Sequence, residues 1–365
     1  MIAWFRYICL IVSLIITMPE LLSAQRLVSQ RQEDVEAGLL YNESVYILSN
    51  YSCLSSNSPE KLSLDELLRK QIEGFYFYLK RDTETNVLLL RKPDGTFTPF
   101  SESLEAIKTA LDADSTKVMT LFLDFYVETE LESSFKEIGL MEYVLEYDTK
   151  NGWPSLKDML SSGKRLVVFE VQKHLNSPSW LHNMRDFVEH TDADWGNQPE
   201  GVESFDERLK KNLSLFTGYK FLETSRGNSN DISALARQTP YLIESFKRAW
   251  IRDGRVPNFI LVDKYYAWLD VSLVTFRNFD IIYGAVTNNN ELLNYVNWDG
   301  MSNYTTGKYC FPLEPGAELM LSPISPGYRI EPATVYVSGT QRKAFASDFK
   351  ARPLRIDEDI EIYLP

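Results

Sequence analysis

The side chains able to move protons or hold ions are few and unevenly placed. The three histidines, His174, His182 and His190, all fall in the polar stretch 172–212. His182 and His190 have no spacing that suits a shared metal. His174 follows the apolar run RLVVFEVQK, where it is either a base at a strand end or a solvated loop residue. Arg81 closes the run EGFYFYLKR, and Arg91 closes VLLLR after the polar turn 82–86. Two guanidiniums so placed would suit a bidentate grip on phosphate or carboxylate, or they would pair with acids such as Asp124 and Asp263. Asp124 lies near the end of KVMTLFLDF and Asp263 within VPNFILVDKYYAW. Cys53 and Cys310 would pair in an oxidising compartment or stay as two buried thiols; sequence leaves both open.

The elements that must position these groups follow from apolar patterning. SVYILSNYSCLSS holds a first strand with a Ser/Asn-rich loop, and residues 62–72 repeat leucine at helical spacing. EGFYFYLKR and KVMTLFLDF read as strands buried on both faces, the pattern of a parallel sheet. Between them Ser101 is expected to cap a helix whose apolar face is Leu104, Ile107, Ala110 and Leu111. Further helices are expected over 129–139 and 153–160, and further strands over 164–169, 213–221 and 256–268. Residues 172–212 carry no clear period and read as a lid or decorated loop.

A net charge of −13 argues against nucleic acid and against adsorption to an anionic membrane. At the start, one basic residue, an apolar run from Tyr7 to Met18 and Ser23-Ala24 before Gln25 form the pattern of a cleaved secretory signal over 1–24. The run is shorter than the ~20 residues of a span, so no stable membrane insertion of the mature chain is expected. Residues 25–41 read as a linker or a short outer helix, and a Pro/Gly-rich texture with short strands begins near Gly307.

Three stretches in order resemble the phosphatidylinositol-specific phospholipase C-like phosphodiesterases over about residues 44–285. They are the strand, turn and strand of 68–95, Trp153-Pro154-Ser155-Leu156 leading to Gly163-Lys164-Arg165 and an apolar strand, and PNFILVDKY at 257–265. The resemblance implies an α/β fold, a TIM-type (β/α) barrel over 42–300, followed by a small β module over 307–365. It also implies two catalytic histidines, one deprotonating a substrate hydroxyl and one protonating the leaving oxygen. At the matching positions this chain has Asn50 for the base, and Leu79, Arg81 and Arg91 for an acid, an arginine and the second histidine. Asp263 matches the acid that orients the base. Asn accepts no proton and Arg stays charged, so neither transfer group is present there. Leu79 and Arg81 also supply no carboxylate for the calcium of metal-dependent relatives, and no metal or other cofactor is expected.

The expected function is therefore an exported, catalytically silent relative that binds a phosphorylated polyol, lipid head group or glycan at the barrel mouth. Arg81 and Arg91 are the anion-binding candidates, with Leu79 and Arg81 on the side of the strand that faces the reaction centre. The alternative is an active phosphoric diester hydrolase on a lipid or glycerophosphodiester with relocated groups, His174 supplying the base.

Overall fold

In the computed structural model the described residues are 31–52, 63–69, 72–125, 131–147, 150–172, 177–191, 215–219, 258–262, 278–300, 304–339 and 341–355, with Lys247, Trp250, Ile251 and Val256. They fall into two compact units, residues 1–237 with 259–277, and residues 238–258 with 278–365.

The first unit is built on eight parallel strands: β1 (Tyr46–Asn50), β2 (Gly74–Arg81), β5 (Met119–Asp124), β6 (Leu166–Glu170), β7 (Leu181–Asn183), β8 (Val188–Thr191), β9 (Leu215–Tyr219) and β10 (Phe259–Val262). Each pairs with its neighbour in sequence, and the last pairs with the first, as in a barrel; only β7 and β8 are joined through the short helix Met184–Phe187 instead. The alternation inside each strand explains the packing. In β2, Phe75 and Phe77 are fully buried, and Phe77 meets Phe100 of the helix Phe100–Ala113 edge-on. The residues that alternate with them, Tyr76 and Tyr78, are half-buried and share the lumen side with their register partners Phe122 and Asp124. Phe122, Phe169 and Phe259, from β5, β6 and β10, meet across that lumen. Gly74 is required where β2 starts, because a Cβ there would stand 2.1 Å from the carbonyl oxygen of Thr120.

Several expectations need correcting. The helix after β4 (Phe97–Pro99) starts at Phe100 with Pro99 at its N-cap, so Ser101 is not the cap. A serine cap that was not expected forms at the next helix, where Ser155 Oγ accepts from the Asp158 amide at 3.1 Å. The stretch read as irregular, 172–212, contains two barrel strands, β7 and β8; both are too short to show a period. Of the two readings of the stretch before β1, a linker or a short outer helix, the described part takes the helix. Residues 31–36 are helical, and Arg31, Asp34, Leu39 and Tyr41 are buried. Tyr41 Oη bonds Thr120 Oγ1 at 2.6 Å, and the Tyr41 amide donates to the Pro154 carbonyl at 2.9 Å. This segment floors the barrel at the N-terminal ends of its strands.

Among its described residues the second unit is built of strands apart from helical Lys247, Trp250 and Ile251. A five-stranded sheet runs Glu291–Leu292, Asp280–Asn288, Lys343–Pro353 and Tyr328–Glu331, with Lys308–Leu313 on the other side of Asp280–Asn288. Its core holds Ile282, Val286, Trp298, Tyr309, Phe311 and Phe349. Strand pairing in this unit thus begins at Asp280, well before the change of texture near Gly307. Cys310 is buried and accepts from Trp250 Nε1 at 3.1 Å; Cys53 lies outside the described residues, and with it the question of their pairing.

Candidate functional site

Where parallel strands end at their C-termini, the barrel opens into a polar mouth built on three adjacent strands. Asn50 is the last residue of β1 and stands in register with Tyr76; Tyr78 stands in register with Asp124, the last residue of β5. Tyr76 Oη donates to Asp124 Oδ2 at 3.0 Å, and Gln172 Nε2 donates to Asp124 Oδ1 at 3.4 Å. Both carboxylate oxygens are thus engaged by neutral donors. Of the two readings of Asp124, a rim acid or a salt-bridge partner of Arg81, these bonds fit the rim acid.

Beyond Tyr78, β2 leaves the barrel and forms an antiparallel ribbon with β3 (Leu88–Arg91), which pairs in turn with β4. Register decides which way the two arginines go. Leu79 faces Leu90 and Arg81 faces Leu88, so these four share the side on which Phe77 meets the helix. Leu79 is 1% exposed. Arg91 belongs to the opposite face, with Tyr78, and its guanidinium lies 5.8 Å from the Tyr78 ring centroid. The expected orientation is therefore corrected: Leu79 and Arg81 do share a side, but it is the helix side, and Arg81 and Arg91 do not form one clamp. The two-residue period was read correctly; which side faced the mouth required the register of the neighbouring strand.

Arg91 is fixed by a serine that motif reasoning passed over. Ser52 Oγ donates to the Arg91 carbonyl at 3.0 Å and accepts from the Tyr78 amide at 2.8 Å, so the turn after β1 clasps β2 and β3 together. Lys80 joins Arg91 on the same face, its Nζ 3.6 Å from the Phe97 ring centroid. The sequence signal for this face was present in GFYFYLK, where phenylalanines alternate with residues that carry a polar tip.

His174 and Asp263 lie outside the described residues, so the relocated base and the orienting acid have no described geometry. His182 is 4% exposed and packs among Tyr147, Trp153, Phe169 and Phe187. Its Nε2 lies 3.2 Å from the Leu145 carbonyl, and burial pulls its pKa below the ordinary histidine value. That ring is a core residue. Among the described residues, no group of three or more His, Cys, Asp or Glu could hold a metal ion, and no helix is long and apolar enough to cross a membrane.

The mouth and its strand order can now be set beside known proteins. No curated protein matches the chain. Among solved structures it is similar to a mutant phosphatidylinositol-specific phospholipase C from Staphylococcus aureus, at 16% identity and TM-score 0.41 over 68% of this chain and 96% of that one. It is also similar to the phosphatidylinositol-specific phospholipase C from Listeria monocytogenes, at 13% identity and TM-score 0.42 over 67% and 98% of the two chains. The PI-PLC X family model matches residues 90–199, a span that runs from β3 through Arg91 and Asp124 to the end of the sixth barrel strand. Over residues 90–199, less than half of the chain, the sequence is thus similar to the PI-PLC X family.

Proposed function

We propose that the protein is an exported phospholipase C-like chain that binds a phosphorylated polyol or lipid head group at the barrel mouth without cleaving it. One observation carries this reading: the mouth-facing ends of β1 and β3 present Asn50 and Arg91, and neither can exchange a proton near neutral pH. What remains is a binding surface. Arg91 supplies fixed positive charge and a fork of donors, while Asn50, Tyr76, Tyr78 and the hydrogen-bonded carboxylate of Asp124 suit the hydroxyls of a polyol. The relatives are named for action on phosphatidylinositol, whose head group is such a phosphorylated polyol. Export rests on the residue pattern of 1–24, with the mature chain starting near Gln25.

Calorimetric titration of the purified mature chain with inositol 1-phosphate tests the binding, and a turnover assay on phosphatidylinositol and glycerophosphodiesters tests the silence. Binding that Arg91→Gln weakens, with no turnover, is the expected result. Turnover at the rate of an active relative would overturn silence; if His174→Ala abolished that turnover, the hydrolase with a relocated base would replace this reading.

A further inference from the structure

We propose that an outer face of the second unit is a separate binding site, one that takes a neutral oligosaccharide or polysaccharide chain. Leu40 and Val87 aside, the large apolar side chains described as exposed all belong to that unit. Strand register sets Tyr295, Met320, Ile324 and Tyr336 on one row. From Glu318 to Ile324 exposed and covered residues alternate: Leu319, Leu321 and Pro323 turn inward, where Leu321 joins the core, and Met320 and Ile324 turn out. Met320 lies opposite Tyr336, which is 74% exposed, and Ile324 lies opposite Asn297. Tyr295, two residues before Asn297, shares its side, and Tyr295 Oη donates to Asn297 Oδ1 at 3.0 Å. Polar groups fill the space between these apolar pairs. Ser322 Oγ bonds Thr334 Oγ1 at 2.8 Å, and the exposed Asp299 stands beside them, its amide donating to the Ser322 carbonyl at 3.0 Å.

Rings that alternate with hydroxyl, amide and carboxylate match a sugar chain, whose C–H faces lie on aromatic rings while its hydroxyls exchange hydrogen bonds beside them. Tyr336 and Tyr295 supply the rings. Asn297, with Oδ1 taken by Tyr295, meets the ligand with its Nδ2 donors, and Asp299 accepts from sugar hydroxyls as an anion, the stronger kind of such bond. Met320 and Ile324 are four residues apart, about 13 Å in extended chain, so the row suits a ligand of more than one sugar ring. Charge sorts the possible occupants. Glu318 and Asp299 place carboxylates on the row of a chain whose net charge is −13, which repels acidic polymers and anionic lipid. Inserting the row into any bilayer would strip water from Asp299, and pairing it with a second copy would bring like carboxylates together. A neutral, hydroxyl-rich chain meets neither cost and uses the carboxylate as an acceptor.

The test measures retention of the purified mature chain on cellulose, chitin, mannan and starch, for the wild type, Tyr336→Ala, Asp299→Asn and Arg91→Gln. Tyr336 and Asp299 are both exposed, so the variants should keep the wild-type circular dichroism spectrum. Retention on at least one polysaccharide is expected, weakened about tenfold by Tyr336→Ala and severalfold by Asp299→Asn. Arg91→Gln should leave it unchanged, because this row does not depend on the proposed mouth site. Retention on none of the polysaccharides, or retention that neither Tyr336→Ala nor Asp299→Asn weakens, overturns the proposal. Retention that Arg91→Gln abolishes assigns the sugar to the mouth and overturns it too. Phosphatidylcholine vesicles and sedimentation velocity examine the other occupants. Asp299→Asn removes a charge that opposes both insertion and self-pairing. Vesicle binding or a dimer that Tyr336→Ala weakens and Asp299→Asn strengthens would therefore give the row to a lipid surface or to a second copy, in place of a sugar.

Discussion

The two ends of the barrel handle arginine in opposite ways. At the floor, Arg31 is 7% exposed, bonded to Glu73 and to Asp34, and laid 4.9 Å over the Tyr46 ring. Burial by itself disfavours the charged guanidinium, but the carboxylate of Glu73, with Tyr46 and Asp34, more than offsets this and its pKa is raised. Glu73 is occupied further, because its second oxygen accepts from the Ile47 amide at 3.2 Å. At the mouth, Arg91 is half-buried and lies on a tyrosine, held through its own carbonyl by Ser52. The lesson is that residue type says little; an arginine whose charge is already matched joins chain segments, and one positioned without a matched charge is left to recognise something else.

The sharpest way to break this comparison is to remove both arginines in turn. Arg31→Met should destabilise the protein by about 3–5 kcal/mol, because it strands two buried carboxylates at the floor. Arg91→Met should change stability by less than about 0.5 kcal/mol, since no buried partner is stranded. Urea unfolding of both variants decides the matter. Equal losses would mean that the mouth arginine is as structural as the floor one.

Next in size is Gly74→Ala, which forces a methyl group to within 2.1 Å of the Thr120 carbonyl and 2.5 Å of the Leu48 side chain. Strand β2 would have to move away from β5, at a cost of about 1–3 kcal/mol. Because β2 carries Tyr76 and Tyr78 into the mouth, binding should fall along with stability. A variant that loses only stability would show that the mouth is insulated from the strand that builds it.

How much of this was legible beforehand differs between the two ends. The barrel was readable because its strands are long apolar runs and because three motifs stood in the right order; residues 117–125 and 164–169 fall within a residue or two of the strands observed. The absence of proton-transfer groups was readable from Asn50 and Arg91 alone. The floor was not, since Arg31 and Asp34 lie in a segment without a period, Glu73 is a lone acid just before a strand, and only their mutual neutralisation permits burial. Strands β7 and β8 have three and four residues, too few for alternation to register. The pairing of Arg81 with Arg91 failed for a related reason: a strand of known period still has two possible orientations, and Leu79 opposite Leu90 fixes the one in which Arg81 faces the helix side.

A third test uses the buried histidine, which belongs to neither end and should report on the core between them. The folded state holds His182 below its ordinary pKa by burial, against weaker raising contributions from the Leu145 carbonyl and Glu146. The unfolded chain, with a histidine pKa of about 6.5, takes up a proton first as pH falls. The stabilisation is therefore complete above about pH 6.5 and is lost as pH drops through the lower folded value, at no more than about 1.4 kcal/mol per pH unit. His182→Phe should flatten that part of the stability profile between pH 5 and pH 7, a window set by that same reference value of about 6.5. An unchanged profile would assign the acid sensitivity to another group.

The smallest expected effect is also the most selective for the mouth. Tyr76→Phe keeps the ring and deletes the hydroxyl that donates to Asp124 at 3.0 Å. Asp124 then keeps Gln172 at 3.4 Å and turns its other oxygen to solvent, which the half-buried site permits, so stability should fall by only about 0.5–1.5 kcal/mol. The effect on binding follows from charge. An under-shielded carboxylate beside Arg91 repels an incoming phosphate, so monophosphate affinity should drop severalfold. Replacing Asp124 by Asn in the same background removes the charge and should restore affinity to at least the wild-type level. If Tyr76→Phe with Asp124→Asn instead binds more weakly than Tyr76→Phe alone, Asp124 contacts the ligand directly as a hydroxyl acceptor, and the mouth discriminates its polyol through that carboxylate rather than tolerating it.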